Sequence, residues 1–153
     1  VSATMRLVTQ GQAVYDDLCF MTLQTESGLA GRVVQDVVTV PAQKKAKIQG
    51  TTGAIEWING YDDGGDAVIL SREDGSQELF QIPKIRPDDF IEELKHIQAQ
   101  LEGEGAPSMR LERGLDTMLV IAGAHLSSQE GVGVDIDYTQ SYTPDALKTS
   151  VPI

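Results

Sequence analysis

The sequence predicts an α+β fold, in which an open-faced, mostly antiparallel β-sheet has two main helices packed on one face. Up to Pro83, short apolar stretches alternate with turn residues, which is typical of strands. After Pro83, apolar residues recur at the helical period of about 3.6 residues. The segments between the strands are too short for helical crossovers, so we expect an antiparallel meander.

The strands are predicted from runs of β-branched and aromatic residues that end at turn residues. Asp74-Gly75 lies between the last two strands before Pro83 and is a strong hairpin signal. A further strand follows the helices. The predicted strands cover residues 18–24, 31–40, 45–49, 54–58, 67–71, 78–82 and 134–138.

Two apolar stripes predict the helices. The first helix opens with Pro87, Asp88 and Asp89, ends at Gly103 and is expected to lie with one face on the sheet. The second runs from a Ser108 cap to about Ser128, and its centre at residues 118–126 is apolar on all sides, so we expect it to be enclosed between layers. The stripes consist of Phe90, Leu94, Ile97 and Leu101 in the first helix and of Leu111, Leu115, Met118 and Ala122 in the second.

Composition and charge limit the function classes. The chain has 153 residues and a net charge of −11, which argues against nucleic acid and anionic membranes as partners, because both require clustered cations. The longest uncharged apolar run, residues 118–126, is too short to span a bilayer. The single Cys19 excludes an internal disulfide. We expect a cytoplasmic protein with one domain over residues 1–140 and a loosely held tail over residues 141–153.

One strand predicts an oligomer interface. Both faces of residues 31–40 carry apolar side chains, whereas a sheet with one solvated face shows cleaner alternation. We expect a homodimer, or a dimer of dimers, through the sheet face away from the helices. The alternative is a strand with a few tolerated exposed valines. The predicted interface residues are Arg32, Val34, Asp36 and Val38.

The sequence contains no motif for nucleotide, metal or nucleophilic chemistry. Gly131-x-Gly133 lacks the third glycine of a dinucleotide-binding turn. His96 is expected on a solvated helix surface. His125 is expected to be buried and bonded to backbone or a hydroxyl, with a ligand contact as the alternative. No catalytic, cofactor-binding or metal-binding residue is therefore predicted.

Three charged clusters leave alternatives open. Residues 61–66 form either a solvated hairpin loop, which their spacing favours, or a calcium site. Asp135 and Asp137 are either a carboxylate pair or charges that guard an edge strand. The only basic cluster in the sequence consists of Lys44, Lys45 and Lys47. We expect it at a solvated strand end, and the alternative is that it binds a small anionic ligand.

Several short sequence motifs occur in a characteristic order and spacing. Residues 48–56 carry the pattern I-x-G-T-x-G-x-x-E, and residues 127–134 carry Ser-x-x-x-Gly-x-x-Val. The acidic pair at residues 16–17, the turn at 26–31 and the helix start at 90–96 agree with them in order and spacing. From about residue 16 to residue 137, the chain resembles the C-terminal domain of the Gfo/Idh/MocA family of NAD(P)-dependent oxidoreductases.

The resemblance implies a parent enzyme with an N-terminal Rossmann domain that binds NAD or NADP. The domain seen here would close the substrate site for a sugar, cyclitol or similar polyol and mediate oligomerisation. The GxGxxG turn, the Glu-Lys-Pro segment and the Asp-to-His motif of the family are missing, so no catalytic or cofactor residue is carried over. We therefore expect an inactive fragment that binds no cofactor alone. The alternative is a free-standing, non-enzymatic dimerisation or small-ligand-binding module.

Overall fold

The computed structural model describes residues 1–62, 65–104 and 110–150. The chain divides into two compact units: unit 1 comprises Val1–Thr39 and Ser108–Ile153, and unit 2 comprises Val40–Pro107. A single domain over residues 1–140 stays a prediction. The elements are β1 (Ser2–Gln10), β2 (Ala13–Gln24), β3 (Ala30–Asp36), β4 (Lys45–Gln49), β5 (Gly53–Asp62), β6 (Gly65–Arg72), β7 (Gln77–Pro83), α1 (Asp88–Leu101), α2 (Leu111–Glu130), β8 (Gly133–Ile136) and β9 (Leu147–Ser150).

Antiparallel ladders and one helix build unit 1. Strands β1, β2 and β3 pair in that order, and β8 pairs with β9. Val1 and Val134 exchange both backbone hydrogen bonds, at 2.7 and 2.8 Å, which is the pattern of an antiparallel pair. Helix α2 contacts β1, β8 and β9. The α+β class and the antiparallel pairing are confirmed.

Two serines of α2 cover the free edge of β1. The Ser127 hydroxyl accepts a hydrogen bond from the Ala3 backbone N–H at 2.9 Å, and the Ser128 hydroxyl accepts one from the Met5 N–H at 2.9 Å. Ser127 is 2% exposed and also donates to the Val132 carbonyl. Because an unpaired strand edge is a template for association, these bonds both hold the helix and satisfy the edge.

The buried face of α2 differs from the predicted stripe. The helix buries Leu119, Gly123, Ala124 and Ser127. Of the predicted stripe, Leu115 is half-buried and the others are exposed, namely Leu111, Met118 and Ala122. The expectation of an enclosed helix centre is not met in the described residues, since Met118 is 58% exposed. The predicted Ser108 cap lies outside the described residues, and α2 begins at Leu111.

Small residues explain this rotation of the buried face. A Cβ atom at Gly123 would lie 3.6 to 3.7 Å from side-chain atoms of Val134, Ile136 and Leu147. The helix backbone therefore packs directly on β8 and β9. Hydrophobicity alone favours the bulky residues as the inner face, but close packing selects the face on which the backbone can approach the strands.

Unit 2 contains four strands of the predicted meander, whereas the two predicted strands before it, β2 and β3, pair with β1 in a separate sheet of unit 1. Strands β4, β5, β6 and β7 pair in chain order, all antiparallel. The close approach of β5 and β6 requires glycine at one position: a Cβ on Gly53 would lie 2.3 Å from the carbonyl oxygen of Ser71. The second glycine of the I-x-G-T-x-G pattern, Gly53, is thus needed because a side chain there would clash with β6.

Helix α1 differs from the expectation that its stripe lies on the sheet. It forms at the predicted place, with Asp88 and Asp89 in its first turn, but it has no buried residue. Phe90 is 55% exposed and Leu94 is 66% exposed. The apolar spacing therefore identifies the helix correctly without identifying what covers it.

Within the predicted loose tail, residues 147–150 form strand β9. Leu147 pairs with Ile136, and Lys148 pairs with Asp135 in the β8–β9 ladder. Ala146, just before β9, is 0% exposed.

Among the described residues, no helix combines the length and the hydropathy needed to cross a membrane.

Candidate functional site

Three predicted interface residues share one side of β3. Arg32, Val34 and Asp36 alternate along the strand, so their side chains point to the same side. Phe20 of β2 lies opposite Val34 and extends the apolar part of this side. Val34 is 58% exposed and Phe20 is 46% exposed. We call this side of the β1–β3 ladder the open face. Its residues are Ser2, Thr4 and Arg6 of β1, Leu18, Phe20, Thr22 and Gln24 of β2, and Ala30, Arg32, Val34 and Asp36 of β3.

Val38 lies beyond the strand that carries the open face. Strand β3 ends at Asp36, four residues earlier than predicted from residues 31–40. The Asp36 carboxylate accepts hydrogen bonds from the Val38 N–H at 2.9 Å and from the N–H and hydroxyl of Thr39 at 2.6 and 2.8 Å. The Thr39 hydroxyl is the main reason why the pKa of Asp36 lies below its ordinary value. These bonds turn the chain, which the β-branched run did not reveal.

A β-bulge in β2 holds an ion pair beside the open face. The register shifts between Arg6 and Leu7, so Asp17 has no directly opposed residue. Asp17 is 8% exposed and accepts two bonds from the Arg6 guanidinium, at 2.7 and 2.8 Å. The hydrogen bonds from Arg6 lower the pKa of Asp17. The Asp17 carbonyl also accepts the Val37 N–H, which ties the end of β3 to the bulge.

The neighbouring carboxylate contacts the helix histidine. His125 Nε2 lies 3.2 Å from Asp16 Oδ2, and the two side chains are 35% and 27% exposed. His125 is thus half-buried and not buried as predicted, and its partner is a carboxylate and not the predicted backbone or hydroxyl group. Asp16 Oδ1 is buried and has no hydrogen-bond partner among the described residues. Burial, with a smaller effect of the Asp16 charge, raises the pKa of the Cys19 thiol.

In unit 2, the acid with the strongest contacts is Asp66. Its carboxylate accepts bonds from Trp57 Nε1 at 3.1 Å, from the Asn59 amide at 2.9 Å and from the Gly60 N–H at 3.0 Å. Lys84 Nζ lies 2.9 Å from it. Desolvation opposes ionisation, but the combined hydrogen bonds lower the pKa of Asp66 to about 2.

The contacts of the Asp66 carboxylate test the alternative that residues 61–66 bind calcium. Residues 63 and 64 lie outside the described residues. Asp66, which is 6% exposed, already has protein donors around its carboxylate. Within the described residues, no group of three or more His, Cys, Asp or Glu side chains is placed to hold a metal ion. Asp66 is therefore a buried acid of β6 that protein donors hold, and it is not part of a solvated loop.

The other charged candidates are separate from one another. Asp137 lies just after β8 and accepts bonds from Thr139 and from Lys148 Nζ at 2.9 Å, and the Thr139 hydroxyl is the main cause of its lowered pKa. Asp135 is exposed and faces Lys148 across the ladder. The two acids therefore do not act as a carboxylate pair. His96, expected on a solvated surface, is half-buried.

A shallow groove lies at the hairpin ends of unit 2. It has a volume of about 720 Å³ and includes the glycines of the I-x-G-T-x-G pattern. Its apolar side is formed by Ile48, Ile55 and Leu70. Arg72 lines it as well, but its guanidinium is paired with Glu78 at 2.7 Å. The groove therefore presents mainly apolar and backbone groups.

The described residues do not fit the pyrophosphate of NAD(P). Such a group needs a glycine-rich turn that leads into a helix whose N-terminal N–H groups are free of negative charge. Helix α1 has Asp88 and Asp89 in its first turn, and α2 has Glu112. These carboxylates repel a phosphate, so no step of hydride transfer is assigned to this chain.

A family model described as "Oxidoreductase family, C-terminal alpha/beta domain" (GFO_IDH_MocA_C) matches residues 2–136. The chain belongs to the GFO/IDH/MocA oxidoreductase family. The match spans β1 to β8 and thus confirms the resemblance seen in the sequence. No curated protein matches the chain.

Two features of this GFO/IDH/MocA C-terminal domain were not predicted from the sequence. The first is the ion pair of Arg6 and Asp17, because the pairing of two strands fixes the position of a bulge. The second is the contact between Asp16 and His125, which joins residues far apart in the chain. The adjacent acids at residues 16–17 were the available signal, since consecutive charges near a strand centre disturb the alternation expected of a strand.

Proposed function

We propose that this chain is the substrate-side and dimerisation domain of an NAD(P)-dependent oxidoreductase that acts on a sugar, cyclitol or similar polyol. The observation that carries the proposal is the family match over residues 2–136. The lack of a fitting nucleotide site in the described residues supports a division of tasks, with the hydride chemistry in a Rossmann domain. In this arrangement the chain walls the substrate pocket and holds subunits together.

The experiment for the enzymatic part uses the native protein, captured from its own cells with an antibody against this chain. We expect a mass that includes a nucleotide-binding domain, and reduction of NAD or NADP in the presence of members of a sugar and cyclitol panel. The chain of 153 residues is the control and should be inactive. A native protein with this chain's mass and no activity would support a free-standing module instead.

We further propose that two copies pair through the open face. Val34 and Phe20 supply an exposed apolar centre, and Arg32 and Asp36 flank it with opposite charges. In a two-fold interface each residue meets the partner's copy of the same patch, so a positive and a negative end are mutually complementary. The interface predicted at Arg32, Val34 and Asp36 is retained, with Phe20 added and Val38 at its margin.

Light scattering tests this pairing. The wild-type chain should be dimeric at micromolar concentration, and Val34→Lys should shift it towards the monomer by placing a charge in the apolar centre. Val37→Lys is the matched control, because Val37 is 72% exposed but lies outside β3, and it should leave the dimer intact. A monomeric wild-type chain, or equal effects of both variants, contradicts the proposal.

The reducing cytoplasm is the proposed location. Its support is chemical: the only thiol, Cys19, is 9% exposed and its pKa is raised by burial, so the fold uses it as an apolar side chain.

A further inference from the structure

Strand β4 is the first edge strand of the unit 2 sheet. The sheet of unit 2 has the order β4-β5-β6-β7, so only one side of β4 is paired. All five residues of β4 are exposed. An open strand edge of this kind is a template for another extended segment.

The hydrogen-bond pattern shows which backbone groups of β4 are available. The Asn59 N–H donates to the Lys44 carbonyl, and the Gly50 N–H donates to the Gly53 carbonyl. Because bonded pairs alternate along an antiparallel ladder, the even-numbered residues of β4 pair with β5. The N–H and carbonyl groups of the odd-numbered residues therefore point outwards, and these residues are Lys45, Lys47 and Gln49.

Two of the three side chains at these positions, Lys45 and Lys47, are cationic. Lys45 and Lys47 lie on one side of the sheet, and neither forms an ion pair within the described residues. Lys44 lies with Nζ 5.7 Å from the Trp57 ring centroid. On the other side of the strand, Ile48 is 70% exposed. The edge thus combines unpaired backbone groups and two lysines on one side of the sheet with the exposed Ile48 on the other, where Lys44 lies against Trp57.

A second copy of β4 does not complement this edge. Antiparallel pairing of β4 with itself would bring lysines together across the ladder, and like charges at such positions are destabilising. An acidic segment removes this repulsion and supplies the missing charge partners.

We propose that the β4 edge binds an extended acidic peptide segment by strand addition. Acidic residues of the segment lie opposite Lys45 and Lys47, and apolar residues lie opposite Ala46 and Ile48. Each acidic residue lies directly opposite Lys45 or Lys47, whose N–H and carbonyl groups point outwards. In an antiparallel ladder such a pair exchanges two backbone hydrogen bonds, so the N–H groups of the acidic residues face β4. The partner is therefore defined by an alternating acidic and apolar pattern and by the side on which its backbone is bonded.

The test uses the intact chain and a capped, fluorescent peptide, Glu-Val-Glu-Val-Glu-Val, with binding followed by anisotropy. We expect saturable binding. N-methylation of the glutamate nitrogens should abolish it, whereas N-methylation of the valine nitrogens should leave it in place. Absence of saturable binding means that the lysines only protect the edge and overturns the proposal. Equal binding of both methylated peptides overturns it as well, because charge attraction alone would then suffice.

Charge-reversal variants locate the site. The double variant Lys45→Glu with Lys47→Glu should weaken binding about tenfold or more, which corresponds to about 1.4 kcal/mol. The matched control, Lys95→Glu with Arg110→Glu, makes the same change in net charge at exposed positions outside β4 and should bind like the wild type. Circular dichroism of each variant verifies that the fold is retained. Equal weakening by both pairs assigns the binding to overall charge and overturns the proposal.

Discussion

Replacement of Gly123 by alanine should stabilise the protein, although the residue is buried. Glycine inside a helix costs about 1 kcal/mol relative to alanine. The new Cβ would meet side-chain atoms at 3.6 to 3.7 Å, which is ordinary van der Waals contact, and burial of a methyl group adds at most about 0.8 kcal/mol. We therefore expect a gain of about 1 to 2 kcal/mol in the free energy of unfolding.

Urea titration and thermal unfolding measure this gain. Gly114→Ala is the matched control, because it lies on the same helix with no atom within 4 Å of its Cβ and should gain only the propensity part, about 1 kcal/mol. Gly123→Leu should destabilise by about 1 to 3 kcal/mol, since no room remains beyond the Cβ. If Gly123→Ala lowers the unfolding midpoint while Gly114→Ala raises it, helix α2 lies closer to β8 than described and the reasoning is refuted.

Three further predictions concern other parts of the molecule. The pKa of Asp66, about 2 against an ordinary 3.8, means that its ionised form contributes stability above pH 3.8 that is lost as the pH falls towards 2. Urea midpoints measured through this range should fall in the wild type and change less in Asp66→Asn. Gly53→Ala should destabilise strongly, because its Cβ would lie 2.3 Å from the Ser71 oxygen; an unchanged melting temperature would show that β5 and β6 can separate. Calorimetric titration of the chain with NADH or NADPH should show no saturable binding, and a dissociation constant below about 100 µM would reveal a nucleotide site that the helix N-termini do not suggest.

Local patterns predicted the four-stranded meander of unit 2 and the positions of both helices, because the spacing of apolar residues directly reflects strand and helix geometry. Strand β4 matches the predicted residues 45–49, and the change of period after Pro83 marks α1 correctly. The inner face of α2 was not predictable in the same way. Its choice depends on how near the backbone of Gly123 can come to β8 and β9, a property of the assembled structure.

Polar contacts were the harder part of the candidate site. A run of β-branched residues suggested that β3 continues to residue 40. The strand instead ends at Asp36, because its carboxylate accepts hydrogen bonds from the N–H groups of Val38 and Thr39. Likewise, the bulge at Asp17 depends on the register between two strands, and sequence alone does not specify a register. Three of the four predicted interface residues lie on one exposed side of β3 because alternation is local. The pairing of that side with a second copy stays a prediction.

The mutual hydrogen bonds of Val1 and Val134 have a consequence for the order of folding. They close a loop of 133 residues, and the whole of unit 2 lies within that loop. During synthesis, unit 2 is complete as soon as residue 107 has left the ribosome, and its meander needs only contacts between neighbours in the chain. Unit 1 must wait for α2 and β8 before the edge of β1 is satisfied. Until then β1 emerges with an unprotected edge, and this interval is when the nascent chain is most exposed to misassociation.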